Sequence, residues 1–138
     1  MFYNKKKDNK NKDFYFIKIA ALLIHAAKID EHYSRDEEKI IKQTLLELGA
    51  TENTLDLLIS KAKESEENAN QILDFTKEVK NLQENEKIKI IQSLWKIIYS
   101  NKDADIYETN LMRRLSGLLY IDSKTMGDIK EQIKKQNS

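Results

Sequence analysis

The chain has 138 residues, 34% of them charged, and a formal net charge of +1. That length fits one domain and lets folding bury roughly 68% of the surface of the unfolded chain. With no cysteine, disulfides, thiol nucleophiles, iron–sulfur clusters and cysteine zinc sites are excluded.

There is no proline, and the glycines number three, at Gly49, Gly117 and Gly127. Sheets and barrels need many tight turns, and tight turns need these residues. Their scarcity, beside abundant Lys, Glu, Leu and Ile, predicts an all-α fold.

Residues 1–12 are polar and lysine-rich and read as a disordered basic tail, with the folded domain over 13–138. Residues 1–13 carry a balance of +3, which leaves −2 on the remainder. A basic arm on a mildly acidic body does not suit nucleic-acid binding, which places its charge on the folded surface. The Lys5–Lys12 tail implies at most peripheral contact with an anionic inner-membrane surface. The apolar run over Phe14–Ala27 behind those lysines imitates a secretory leader. It spans about 14 residues, too few for a bilayer, and Lys18 and His25 interrupt it. A cytoplasmic setting is expected.

The first predicted helix, residues 14–29, places Ile17, Ala20, Ala21, Ile24 and Ala27 at helical spacing. A short loop runs from Asp30 to Tyr33. Ser34-Arg-Asp-Glu37 has the form of a capping box: the Ser34 hydroxyl accepts from the Glu37 amide, and Glu37 reaches back. Ile40, Ile41, Leu45 and Leu48 continue this helix, and Gly49 stops it. Thr51 is expected to cap a third helix through Leu55, Leu58, Ile59 and Ala62, with residues 63–70 its polar, exposed end. Ile72, Leu73, Phe75, Val79 and Leu82 form a fourth. The fifth covers Glu84 to Ser100, with Ile88, Ile91, Trp95 and Ile98 on one face. Asp105-Ile-Tyr-Glu108 is a second capping box, opening a sixth helix through Leu111, Leu115, Leu118 and Leu119. Asp122 or Ser123 caps the last, through Met126, Ile129 and Ile133.

An offset of 71 residues aligns two helix–loop–helix units without a gap. Ala20 falls on Ile91, Leu23 on Leu94, Ile24 on Trp95 and Ala27 on Ile98. Across the loop Asp30 falls on Asn101, Glu37 on Glu108, Ile40 on Leu111 and Ile41 on Met112. Residues 20–41 and 91–112 are therefore expected to superpose. About seven helices should form a bundle of two pseudo-symmetric halves.

These residues carry a family resemblance. The first copy reads Ala27-Lys-Ile-Asp30-Glu-His-Tyr-Ser34-Arg-Asp-Glu37. The second reads Tyr99-Ser-Asn101-Lys-Asp-Ala-Asp105-Ile-Tyr-Glu108 and continues to Arg113-Arg114-Leu115 and Leu119. The chain resembles the TerB (tellurite-resistance protein B) family of bacterial helical domains. TerB-like domains also precede the J domain of DjlA-type membrane-associated co-chaperones. In the family an Ala-Asp-Gly turn joins two helices and a Glu follows seven residues after the Asp, usually twice. Here Glu31 and Lys102 stand where glycine is preferred, and Asn101 stands where Asp is preferred. The second loop is thus one carboxylate short.

The resemblance implies a binding or scaffold module in stress response or partner regulation, with a protein partner. The alternative it implies is a DjlA-like regulatory domain lacking its J domain. It also implies a weak site for a divalent cation (Ca²⁺, Mg²⁺ or Mn²⁺) formed by Asp30, Glu37, Asp103, Asp105 and Glu108. The same carboxylates read more simply as turn and cap chemistry. Neither loop is an EF-hand, because Arg35 or Glu108 occupies the glycine position and Ile41 or Arg114 the bidentate one. His25 and His32, seven residues apart without cysteine, make a poor zinc site. No nucleophile–base pair, phosphate loop or dinucleotide fingerprint is present, so no enzymatic activity is expected.

Overall fold

The computed structural model describes residues 2–30, 34–69, 71–100 and 106–136, and their side chains except at 2–11, 30, 106 and 107. Within them the fold is all helix: α1 (Phe2–Ala27), α2 (Arg35–Glu47), α3 (Glu52–Asn68), α4 (Leu73–Val79), α5 (Glu84–Tyr99), α6 (Ile106–Leu118) and α7 (Ser123–Gln136). A single 3-10 turn, Lys28–Asp30, follows α1. No helix of the described residues is long and apolar enough to cross a membrane.

Two helices form the interior. Residues Ile19 to Ile24 of α1 are all buried, so this helix is apolar on every side, the pattern of a central core helix. It packs against α2, α3, α4 and α5. The apolar run that imitates a leader is thus the middle of the core. Ala20, Ala21, Ala26 and Ala27 are buried with it, and their small side chains let neighbouring helices approach closely. The second interior helix, α5, buries Ile90, Ile91, Leu94, Trp95, Ile97 and Ile98 and packs against α1, α2 and α7. Between α2 and α5 the Thr44 and Ser93 hydroxyls meet by a buried hydrogen bond. Each also reaches the carbonyl one turn back, Thr44 to Ile40 at 2.7 Å and Ser93 to Lys89 at 2.9 Å. Two hydroxyl protons thus serve three contacts.

The boundary expected at residue 13 is not an element boundary, because α1 is continuous from Phe2. Nothing between Phe2 and Phe14 is a glycine or proline. A helix nucleated on the buried segment therefore extends backwards, adding one backbone bond per residue. α4 is shorter than the apolar spacing predicts. Its end tightens into i→i−3 bonds, Asn81 to Glu78 at 3.2 Å and Leu82 to Val79 at 3.1 Å, and Leu82 packs on the core from outside the helix.

The caps follow the sequence with two refinements. Ser34 caps α2 by the full capping box. Thr51 stands at the N-cap of α3, but its side chain makes no cap bond; its hydroxyl meets that of Thr54 at 3.2 Å. Asp122, not Ser123, caps α7: its carboxylate accepts from the Thr125 amide at 2.8 Å and the Thr125 hydroxyl at 2.9 Å.

α2 and α6 both end in a Schellman turn. In the first, Gly49 donates to Leu46 at 3.1 Å and Ala50 to Leu45 at 2.9 Å. In the second, Tyr120 donates to Gly117 at 3.3 Å and Ile121 to Ser116 at 2.9 Å. The left-handed residue is Gly49 in the first, at φ +114°, and Tyr120 in the second, at φ +58°. These turns, and the starts of α2 and α6 and of α3 and α7, all recur at a spacing of 71 residues.

Candidate functional site

In the chain, the carboxylates singled out by sequence fall between α1 and α2, between α5 and α6, and in the first turns of α2 and α6. Glu37, in the first turn of α2, is buried. One carboxylate oxygen accepts from the Ser34 amide at 2.9 Å, while the Ser34 hydroxyl accepts from the Glu37 amide at 3.1 Å. Its counterpart, Glu108, is also buried and occupies the first turn of α6. A carboxylate there is favoured by the exposed amide dipoles of the helix N-terminus.

The 3-10 turn after α1 ends at Asp30. The Asp30 side chain, Asp103, Asp105, Asn101 and His32 lie outside the described residues, as does the expected Asp105 cap; α6 begins one residue after it. Among the described residues no three of the His, Asp and Glu side chains stand together closely enough to hold a metal ion. The donor set named by the sequence is composed of hard carboxylate oxygens. That chemistry fits Ca²⁺, Mg²⁺ or Mn²⁺ rather than a soft-ligand metal.

A polar cluster not anticipated from sequence closes the first half. Glu66 of α3 receives the Lys28 ammonium at 2.7 Å on one oxygen and faces His25 Nδ1 at 3.4 Å on the other. Glu66 falls four residues after the buried Ala62, and that spacing is the signal that places it on the inner face of α3. His25 also tilts against Phe75, with ring centroids 6.1 Å apart, so its half-buried position has a structural account. Beside it, a groove of about 430 Å³ is lined by His25, Ile29, Asn110, Leu111 and Arg114.

Trp95 is core, as its alignment with Ile24 predicts, and stacks on Tyr99 with centroids 6.0 Å apart. Lys87 was also missed. It is buried on α5 and donates to the Leu119 carbonyl at 3.0 Å. It stands three and four residues before the buried Ile90 and Ile91, so the helical period already places it on the inner face.

The family model described as "Tellurite resistance protein TerB" matches residues 16–131. No curated protein and no solved structure matches the chain.

Proposed function

The chain belongs to the TerB family of tellurite-resistance proteins, and from that premise we propose that it is a non-catalytic helical binding module of a stress response, acting on a protein partner. A divalent cation at the two loops, held by Asp30, Glu37, Asp103, Asp105 and Glu108, braces the halves against each other. The observation that supports this is the placement of Glu37 and Glu108. Both are buried, and both sit in the first turn of a helix that further candidate aspartates precede in the chain, Asp30 before α2 and Asp103 and Asp105 before α6. Clustered carboxylates repel one another, so a cation that binds the folded state stabilises it by mass action. The missing aspartate at Asn101 makes the site weak.

Titration calorimetry with Ca²⁺, Mg²⁺, Mn²⁺ and Zn²⁺ tests the cation. Saturable binding that Asp30→Asn and Glu108→Gln both weaken supports the site. No binding at millimolar metal, with both variants as stable as the parent, leaves these residues as loop and cap chemistry.

A further inference from the structure

The left-handed turn after α6 holds a tyrosine where the equivalent turn after α2 holds a glycine. A β-carbon in that region of backbone space costs roughly 1–2 kcal/mol, a cost that the surrounding structure imposes on this turn and that a glycine would not bear. Tyr120 itself remains 69% exposed, so burial of its ring does not account for a tyrosine, rather than a glycine, at that position. Its ring lies under two ammonium groups, Lys80 at 5.9 Å and Lys87 at 5.8 Å from the centroid.

Tyr120 forms one wall of a groove of about 510 Å³ between α4 and α6. Leu73, 41% exposed, lines the same groove together with Lys77, Lys80, Leu118 and Gly117. Beyond a β-carbon position at Gly117 there is open space. Asp74 is the one acidic residue in the lining. Among the described residues neither Lys77 nor Lys80 is ion-paired. The groove thus combines two exposed apolar side chains with a net positive lining, Lys77 and Lys80 against Asp74.

We propose that this groove docks an acidic segment of a partner protein, with an apolar side chain anchored between Leu73 and Tyr120 and flanking carboxylates on Lys77 and Lys80. The charge selects an acidic occupant. The concavity selects a convex side chain over the flat surface of a membrane. Exposed tyrosines ringed by weaker contacts are frequent anchors of such interfaces. This rests on the binding-module reading, names the surface it uses, and does not involve the cation.

The test uses the full chain and a short fluorescein-labelled peptide of glutamates and leucines with one phenylalanine. Controls are the same peptide with Gln for Glu, phosphatidylserine vesicles and oligothymidylate. Anisotropy should show saturable binding of the acidic peptide, and the Gln peptide should bind at least about tenfold more weakly. Backbone amide shifts should gather at residues 73–80 and 117–121. Tyr120→Gly should weaken binding about tenfold without lowering the melting temperature, because glycine relieves the backbone. A purely structural tyrosine would not separate these readouts. Lys77→Glu with Lys80→Glu should abolish binding. Absence of binding, shifts elsewhere, variants that bind like the parent, or tighter binding of vesicles or oligothymidylate at these residues each overturns the proposal. Peptide failure alongside cation binding overturns the groove alone. Peptide binding retained in Asp30→Asn and Glu108→Gln leaves it standing if the cation site fails.

Discussion

Replacing glycine by alanine should have opposite effects at Gly49 and Gly127, because the same methyl group meets different backbones. Gly49 holds φ at +114° in the turn that ends α2. No atom lies within 4 Å of an added β-carbon there, so the penalty is purely conformational. Residues with side chains rarely adopt this region, and Gly49→Ala should cost about 1–3 kcal/mol. Gly127 lies within α7 and keeps ordinary helical geometry, again with open space around an added β-carbon. Gly127→Ala reduces the freedom of the unfolded chain and should gain about 0.5–1 kcal/mol. Urea denaturation followed by far-UV circular dichroism measures both. At roughly 4 °C per kcal/mol for a domain of this size, thermal melting should separate the variants plainly. If Gly49→Ala is neutral, the α2 turn is not left-handed in solution. If Gly127→Ala destabilises, α7 does not continue through that residue.

Ser34→Ala and Glu37→Gln should each cost about 1 kcal/mol, and a double-mutant cycle should show the two losses to be coupled, since they share one capping box. Lys87→Met should destabilise by about 1–3 kcal/mol in chemical denaturation, because the Leu119 carbonyl at the strained turn loses its donor. The Asp122 carboxyl is held below its ordinary value by hydrogen bonds from the Thr125 amide first and the Thr125 hydroxyl second. Its lowered folded value means that the contribution is complete above the unfolded pKa, near 3.8, and is lost as pH falls through the folded one. Asp122→Ala should therefore melt lower than the parent at neutral pH, with the gap narrowing in acid. Finally, crystallography should superpose residues 20–41 on 91–112, helix direction and loop path included; divergent loop paths would reject the pseudo-symmetry.

Much of the fold was legible because helices announce themselves locally. The absence of proline, the apolar period of 3.6 and the Ser34–Glu37 box are all short-range signals, and α2, α3, α5, α6 and α7 lie where those signals put them. The family was legible for the same reason, since its motif spans one loop and one capping turn. The Glu37 side of the candidate site was readable from its capping role. Whether the aspartates converge on it depends on how two distant loops meet, and nothing local encodes that.

Tertiary structure alone decided the rest. The periodicity of α1 marks one apolar face, yet four helices close around it and bury Leu22 and Leu23 as fully as Ile24. The spacing from Ala62 puts Glu66 on the inner face of α3, but that His25, at the end of α1, and Lys28, in the 3-10 turn after it, are the groups it meets was decided by packing alone. Tyr120 carries no sequence signal for a left-handed turn, because tyrosine is intrinsically poor there. It adopts that conformation because Ile121 must return to the core and Asp122 must start α7, a demand set by packing rather than by its own preference.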